Sequence, residues 1–437
     1  MKESHAIIRG ALLYIADDPF LHPVNECLNY EPDGIIVIKN GIITECGAAS
    51  EILKKLPKNV AYDTYSNKLI VPGFIDTHIH YVQTDIIGAF GKQLIDWLNT
   101  YTFVAEQRFH DPSEGRRVAD FFCDELLRNG TTTALTFCAV YPESVNQLFE
   151  AASKRDMRMI AGKVMMDRNA PKGLQDTAQS SYQDSKALIQ TWHEKGRNLY
   201  AITPRFAPTS TPEQLEAAGQ LWREYPTTYI HSHLSENKDE MTWVKELFPK
   251  QTGYLDVYDH FGLTGKRAVY AHAVHITEAE MQRCFETNTT IAHCPTSNLF
   301  LGSGLFELER AKNPTRPLTV GLGTDIGAGT SFSMLQTMNE AYKVAQLRSF
   351  PLDAVRAFFL ATLGGARALH LDDKLGTLEV GKEADFVVLD PYATPLLKER
   401  MQFAHSIEEQ LFILMTLGDD RSVAATYVAG RKAYARE

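Results

Sequence analysis

Short apolar runs alternate with amphipathic stretches through the middle of the chain. Eight of these runs are rich in β-branched residues and have the length of buried strands. They occupy residues 70–79, 131–137, 157–165, 199–203, 228–234, 268–272, 289–294 and 318–324. Helical spacing of apolar residues separates most of them. Eight alternating strand and helix units predict an α/β fold, a (β/α)8 TIM-like barrel over residues 70–376.

Two of the intervening helices have recognisable ends. One is predicted to begin after Ser113, which suits an N-cap, and to end at Asn129-Gly130. The other opens at Pro142, a residue favoured in the first helical turn, and carries apolar residues at helical spacing. Both helices fit the connections that a parallel barrel requires.

The two ends of the chain share a different pattern, in which short β runs are broken by turn residues. Asn40-Gly41 separates two such runs, and both residues tolerate the positive φ of a type I′ hairpin turn. Similar runs return at 384–389 and 424–434. We therefore predict one small β-sandwich domain built from both termini, over residues 1–69 and 377–437.

Composition limits the classes of partner. The chain has 437 residues, enough for one large barrel or two to three average domains, and 44% of them are hydrophobic. Its net charge is −10. Nucleic-acid backbones and anionic membrane surfaces are bound by basic patches, so neither is the expected partner.

Cysteine usage and the N-terminal sequence indicate a cytoplasmic protein. The six cysteines form no CxxC pair or regular framework, which favours reduced thiols. They are Cys27, Cys46, Cys123, Cys138, Cys284 and Cys294. The apolar run at 11–16 is followed at once by Asp17 and Asp18, so we expect neither a signal peptide nor a membrane span.

Candidate chemistry begins with His78 and His80 at the end of the first barrel strand. Side chains at i and i+2 of a strand share a face, with Cα atoms about 7 Å apart. Two imidazoles so placed suit one divalent metal ion, since neutral imidazole is a good zinc ligand. An isolated His-x-His is equally compatible with two unrelated histidines. The residues at the other strand ends decide between these two interpretations.

Three further strand ends carry polar residues of the same kind. Strand five ends at His233, with Glu236 three residues on, strand six ends at His272, and Asp325 follows strand eight. Catalytic residues of such barrels lie at the carboxyl ends of the strands. His231 shares the second His-x-His but is interpreted as a core or supporting residue, because one ligand from this strand suffices.

These residues predict a hydrolytic metal site. Three or four histidines and one aspartate hold a divalent metal, best suited to zinc, and leave a position for water. The metal lowers the pKa of that water toward about 7. Glu236 is the predicted proton shuttle, and Asp325 is placed to accept a proton from the nucleophile. The same ligands would also accept iron, as Fe²⁺, or manganese.

The motifs around these residues resemble those of one family. They are Pro72-Gly73-Phe74-Ile75-Asp76-Thr77-His78-Ile79-His80, His233-Leu234-Ser235-Glu236, His272, His293-Cys294-Pro295-Thr296-Ser297-Asn298 and Gly323-Thr324-Asp325. Over nearly the whole chain they look like the amidohydrolase superfamily, in its mononuclear deaminase branch. A binuclear branch uses a carbamylated lysine as a bridge, and Lys163 is the only lysine inside a mid-barrel strand. Glu236 favours the mononuclear type.

The resemblance assigns roles to individual residues. It implies that zinc is bound by His78, His80, His233, His272 and Asp325. It implies catalytic roles for Glu236, Asp325 and His272, and substrate contacts for Gln83, Arg205, Phe206 and His233. Within the branch, residues 81–83, 203–209, 299–306 and 324–329 resemble members that deaminate guanine to xanthine and ammonia. A homodimer is also implied.

Several alternatives stay open from the sequence. The residues are also compatible with another aminated heterocycle as substrate, such as 8-oxoguanine, a pterin or a triazine, and with a silent scaffold barrel. The alternative role for Arg205 is pairing with a carboxylate on the barrel rim, and the alternative role for Phe206 is packing alone. His293 either touches the substrate or supports Asp325, and residues 84–109 form either a lid or a solvated linker.

Overall fold

The structure, a computed structural model, describes residues 5–91 and 93–437. Residues 1–4 of the predicted terminal domain and Lys92 of the predicted lid or linker lie outside this description. The strands are β1 His5–Ile15, β2 Leu28–Lys39, β3 Ile42–Ala48, β4 Asp63–Pro72, β5 Phe74–His80, β6 Thr131–Phe137, β7 Arg158–Gly162, β8 Val164–Met165, β9 Leu199–Pro204, β10 Tyr229–Leu234, β11 Ala268–His272, β12 Thr290–His293, β13 Val320–Leu322, β14 Phe386–Leu389, β15 Val423–Val428 and β16 Arg431–Ala435.

Within the described residues, nine helices have eight or more residues and are numbered here in chain order. They are α1 Pro112–Arg128, α2 Pro142–Lys154, α3 Ala178–Trp192, α4 Pro212–Glu224, α5 Lys238–Leu247, α6 Glu278–Thr287, α7 Met334–Leu347, α8 Ala354–Ala361 and α9 Ile407–Leu417. Most of them follow a barrel strand, as a parallel sheet requires.

Strands β5 to β13 form the predicted barrel. Neighbouring strands are parallel, in the order β5, β6, β7, β9, β10, β11, β12 and β13, with the short β8 beside β9. Hydrogen bonds between the last and first strands close the ring: Asp325 N–H donates to the His78 carbonyl at 2.9 Å, and His80 N–H to Ile326 at 3.0 Å. The predicted fold class is confirmed.

The remaining strands form one seven-stranded sheet from both ends of the chain, in the order β16-β15-β14-β4-β1-β2-β3. Asn40 and Gly41 have φ values of 51° and 81°, as expected for the predicted turn between β2 and β3. Apolar residues from both termini share one core, among them Ile8, Ile36 and Phe386. The exact division at residues 69/70 and 376/377 stays a prediction.

Two details of the predicted elements are wrong. The run at 70–79 is not one strand, because the chain leaves the terminal sheet at Pro72 and enters the barrel at Phe74. Gly73 permits this crossing: a Cβ there would lie 2.3 Å from the Thr132 hydroxyl oxygen. Helix α1 is capped not by Ser113 but by Asp111, whose carboxylate accepts from the Ser113 N–H at 2.9 Å.

The core of the barrel is apolar beneath the carboxyl ends of its strands. Ile75, Leu135, Ile160, Tyr229 and Val269 fill the interior with apolar side chains that are almost fully buried. The carboxyl ends of the strands, above this apolar layer, carry the histidines. Within the described part of the chain, we find no helix with both the length and the apolar character needed to cross a membrane.

Candidate active site

The barrel brings four of the five predicted ligands, from three separate stretches of sequence, to one point. His78 and His80 end β5, His233 lies in β10, and Asp325 follows β13. All four side chains are buried or nearly so, and one ligand atom from each lies within 4.8 Å of the others. Because parallel strands present their carboxyl ends at the same rim, barrel closure alone creates this cluster.

The distances within the cluster are short. Asp325 Oδ1 lies 3.2 Å from Nε2 of both His78 and His80. The Nε2 atoms of His80 and His233 are 3.3 Å apart. His272 Nε2 lies 3.7 Å from Asp325 Oδ2 and, among the described residues, has no hydrogen-bond partner although it is buried.

Hydrogen bonds on the far side of each ring orient the imidazoles. His233 Nδ1 donates to the Arg205 carbonyl at 2.7 Å, and His272 Nδ1 lies 2.8 Å from Asn298 Oδ1. Both contacts place the proton on Nδ1, so the Nε2 lone pairs face the cluster. His78 Nδ1 is similarly paired with His231 Nε2 at 2.8 Å, which agrees with the supporting role predicted for His231.

The electrostatics of the cluster fit a divalent metal. Burial lowers the pKa of His80 to about 3 and that of His233 well below its ordinary value, so both rings are neutral. Burial acts to raise the pKa of Asp325, but the close approach of the His78 and His80 rings holds it well below the usual range. The lone pairs of neutral rings and of a carboxylate face one another with few protons between them. A bound cation would remove the repulsion between these lone pairs.

Asp76, which the sequence reasoning did not single out, links β5 to the segment after β13 beneath the cluster. This junction of the first and last barrel strands is called the barrel seam. Its Oδ1 accepts from the N–H groups of His78 and Thr324, both at 3.1 Å, and its Oδ2 accepts from the Thr324 hydroxyl at 2.5 Å. Burial raises the pKa of Asp76 to about 7. An acidic residue inside an apolar strand was the available signal, since buried carboxyl groups need several donors.

Glu236 lies at the edge of the cluster. One carboxyl oxygen is 3.4 Å from His272 Nε2, and the other accepts from the Ser303 hydroxyl at 3.3 Å. Burial raises the pKa of Glu236 to about 8, and the nearby charge of Asp325 acts in the same direction. A carboxyl group that titrates near neutrality is able both to donate and to accept a proton.

A cavity opens above the cluster. Its walls comprise His80, Gln83, Leu94, Trp97, Leu98, Arg205, Phe206, His233, Glu236, His272, Leu301, Asp325 and Ala328. Apolar and aromatic walls with a few convergent polar groups suit a small flat molecule. All the residues predicted to contact substrate line the cavity, and Phe206 also packs edge-on against Trp243.

Residues 93–110, here called the covering segment, form one side of this cavity. Leu94, Trp97 and Leu98 are buried and face it, so the segment is not a solvated linker. The segment contains the short helices Leu94–Trp97 and Phe103–Gln107. None of its pocket residues was predicted, because their positions depend on how irregular structure packs on the barrel.

Glu106 of the covering segment is another residue that the sequence reasoning missed. Its two carboxylate oxygens lie 2.9 and 2.7 Å from Arg205 Nη1. Arg205 therefore pairs with a carboxylate, as one alternative held, but it also lines the cavity. Gln83 Nε2 donates to Glu106 Oε1 at 3.0 Å. No motif or periodicity marks Glu106 in the sequence.

Two other residues lie outside the cavity wall. His293 is buried against Phe306, with ring centroids 4.8 Å apart, and neither of its ring nitrogens has a hydrogen-bond partner within residues 5–91 and 93–437. His293 thus forms no side-chain hydrogen bond with Asp325, and both roles considered for it stay predictions. Lys163 Nζ is held by Asp176 at 2.5 Å and by the Val164 carbonyl at 3.2 Å, rather than by the histidines.

Residues 69–433 match the Amidohydrolase family, and the chain belongs to that family. Its sequence is 55% identical to the guanine deaminase of Escherichia coli K12, an alignment that spans all of both chains. A solved structure of E. coli guanine deaminase superposes with a TM-score of 0.95 at 53% identity, covering 99% of this chain and 100% of the other. The resemblance predicted from the sequence is confirmed.

A further solved structure carries a ligand. The guanine deaminase from C. acetobutylicum, with guanine bound in its active site, is 30% identical. It superposes with a TM-score of 0.88 and covers 99% of this chain and 100% of its own.

Proposed function

We propose that this protein catalyses the hydrolytic deamination of guanine to xanthine and ammonia. The observation that carries the proposal is the cavity itself: metal-type ligands and Glu236 form its floor, and Gln83, Arg205 and Phe206 form a wall suited to a flat polar ring. Guanine deaminases that align with this chain over its whole length support the same substrate. The function predicted from the sequence thus stands.

Five residues would hold the metal. They are His78, His80, His233, His272 and Asp325. Nitrogen-rich ligand sets with one carboxylate suit zinc, and Fe²⁺ would also be accepted. A divalent metal bound there supplies Lewis-acid activation of water for attack on carbon. The orphaned Nε2 of His272 and the converging Nε2 atoms of the other histidines support this assignment.

Glu236 moves the protons. In the overall reaction, C2 of guanine gains an oxygen from water, the bond from C2 to the exocyclic nitrogen breaks, and ammonia leaves. Because its pKa is raised to about 8, the Glu236 carboxyl is protonated at neutral pH and has a proton for the ring nitrogen next to C2. It then recovers a proton originating from water and passes it to the departing amine. Ser303 holds the carboxyl in place.

The cavity wall holds the purine. Arg205 donates from a planar guanidinium, which suits a carbonyl oxygen and ring nitrogens of the base. Gln83 offers an amide donor and acceptor, and Phe206 offers an aromatic face. His233 lines the same cavity beside Glu236, so it would contact both metal and base. Asp325 would accept the proton of the attacking water.

The first test is ammonia release from guanine, adenine, cytosine and 8-oxoguanine by protein of known metal content. We expect turnover of guanine, its loss after chelation and its return when zinc is added. Metal-loaded protein that leaves guanine unchanged but acts on another heterocycle would contradict the substrate assignment. Activity that persists after the metal has been removed would contradict the metal assignment.

We further propose that the protein is a cytoplasmic homodimer that acts in purine catabolism. The reduced, unpaired cysteines and the acidic net charge support the compartment, and the family resemblance supports the dimer. Light scattering on purified protein checks the oligomeric state. A monomer at the enzyme's working concentration would contradict the dimer without affecting the chemistry.

A further inference from the structure

Glu106 lies behind the cavity wall rather than in it. The residue is fully buried on the helix Phe103–Gln107, and it is not among the residues that line the cavity. Its hydrogen-bond partners, Arg205 and Gln83, both line the cavity. Whatever Glu106 does to a ligand, it does through these two side chains.

The first effect of Glu106 is on charge. Arg205 is only 2% exposed, and an unpaired guanidinium at that depth would be costly to bury and would attract anions. The pairing with Glu106 makes this part of the wall neutral overall. Within residues 5–91 and 93–437, only Nη1 of Arg205 has a side-chain hydrogen-bond partner, so the other guanidinium nitrogens remain available to a ligand.

The second effect is on the orientation of Gln83. Its Nε2 donates to the Glu106 carboxylate, which accepts only, and its Oε1 accepts from the Gly327 N–H at 3.2 Å, which donates only. The amide therefore has one orientation, with one remaining hydrogen and one remaining lone pair for a ligand. Without the carboxylate, the amide would lose one of these two constraints.

We propose that Glu106 is the positioning residue that makes this cavity select uncharged purines over purine anions. The inference rests on the proposed function, because it specifies which form of the ring the site accepts. Xanthine ionises more readily than guanine, since its second carbonyl stabilises the anion. A wall without net positive charge binds neutral guanine and favours departure of the product xanthine once it has lost a proton to solvent.

The experiment compares two inhibitors in the metal-loaded protein at one pH, at which xanthine is largely ionised and hypoxanthine is neutral. Calorimetric titration gives both dissociation constants without turnover. In Glu106→Gln, Arg205 loses its counter-charge. The affinity for xanthine should therefore increase about tenfold or more relative to the affinity for hypoxanthine. The KM for guanine should rise about tenfold or more through loss of the charged hydrogen bonds, with a smaller change in kcat.

Glu280→Gln is the matched control. Glu280 is also a buried glutamate that accepts hydrogen bonds, from the Thr277 and Leu255 N–H groups, but it does not line the cavity or contact Arg205. This variant should leave the ratio of the two dissociation constants unchanged. A folded, metal-loaded Glu106→Gln protein with the same ratio and KM as wild type would overturn the inference.

A second variant tests the charge argument if Glu106→Gln does not fold. Replacing both partners, in Glu106→Gln with Arg205→Gln, removes the unpaired charge. We expect the double variant to unfold at a higher temperature than the single one and to return the xanthine to hypoxanthine ratio toward wild type. Equal instability of both variants would contradict the charge argument. Wild-type protein that binds neither purine would overturn the proposed function instead.

Discussion

The floor and the wall of the cavity are built in different ways. The floor consists of side chains at the ends of β5, β10 and β11 and just after β13, held by strand-to-strand hydrogen bonds that close the barrel. The wall contributed by the covering segment consists of short helical turns, including an irregular π-helical stretch at Leu98–Thr102. Backbone geometry therefore fixes the floor, whereas side-chain packing fixes that wall.

This difference assigns the chemical step to the floor of the cavity and substrate recognition to the wall. Ligands of a metal and a proton donor must be positioned within fractions of an ångström, which the regular hydrogen bonds of a barrel provide. A surface that accepts and releases a ring has to open, and short helices joined by turns allow this at smaller cost. Changes to the floor should therefore act on kcat and metal binding, and changes to the wall on KM.

The largest expected effect comes from the floor. Glu236→Gln keeps the shape of the side chain but cannot donate and recover a proton in the same way, so kcat should fall by about 10² to 10⁴. Metal content, measured by elemental analysis, should stay near wild type. Near-normal turnover of guanine in this variant would remove Glu236 from the mechanism.

An intermediate effect is expected at the barrel seam. Asp76→Asn would place an amide nitrogen where the carboxylate accepts from Thr324 or His78, and so disturb the backbone that carries His78 and Asp325. We expect metal affinity to fall by about tenfold to a hundredfold, as for other residues that orient ligands. Competition with a chromophoric chelator measures this. Unchanged affinity would show that the remaining hydrogen bonds, such as Asp325 N–H to His78 O, suffice.

The smallest effect is expected in the covering segment. Trp97 is 2% exposed, lines the cavity and donates from Nε1 to the Ala89 carbonyl at 3.3 Å. Trp97→Ala should raise the KM for guanine by about tenfold, since stacking and packing contacts on a base have that magnitude. Metal content should not change. Phe121→Ala, at a 51% exposed position on α1, is the control and should leave KM unaltered.

If Trp97→Ala lowered kcat as much as Glu236→Gln, this result would contradict the division between floor and wall. It would show that the covering segment also positions reacting groups. A change confined to KM would sharpen the division and would place substrate selection in the covering segment.

The sequence identified the floor because its signals are local. His78 and His80 share one strand face, and the strand-end positions of His233, His272 and Asp325 follow from the alternation of strands and helices. The split of residues 70–79 between two sheets was not predicted, because an apolar β-branched run has the same pattern on either side of Gly73. Only packing against Thr132 and the hydrogen bond to Asp385 divide it.

The wall was predicted only in part. Gln83, Arg205 and Phe206 lie beside strand ends and within family motifs, and the structure places all three on the cavity. Glu106 and Trp97 lie in a stretch without periodicity, so their burial was not visible. The role of Glu106 depends on contacts with Gln83 and Arg205, 23 and 99 positions away, which no local pattern encodes.

The sequence by itself determined the barrel, the terminal sheet and the identity of the metal-type ligands, because hydrophobic periodicity and strand-end chemistry are properties of neighbouring residues. Tertiary structure alone decided that Asp76 fastens the seam, that Arg205 is neutralised by Glu106, and that the covering segment forms part of the cavity. These are contacts between distant parts of the chain, and their free energy arises only when the burial of both partners excludes water.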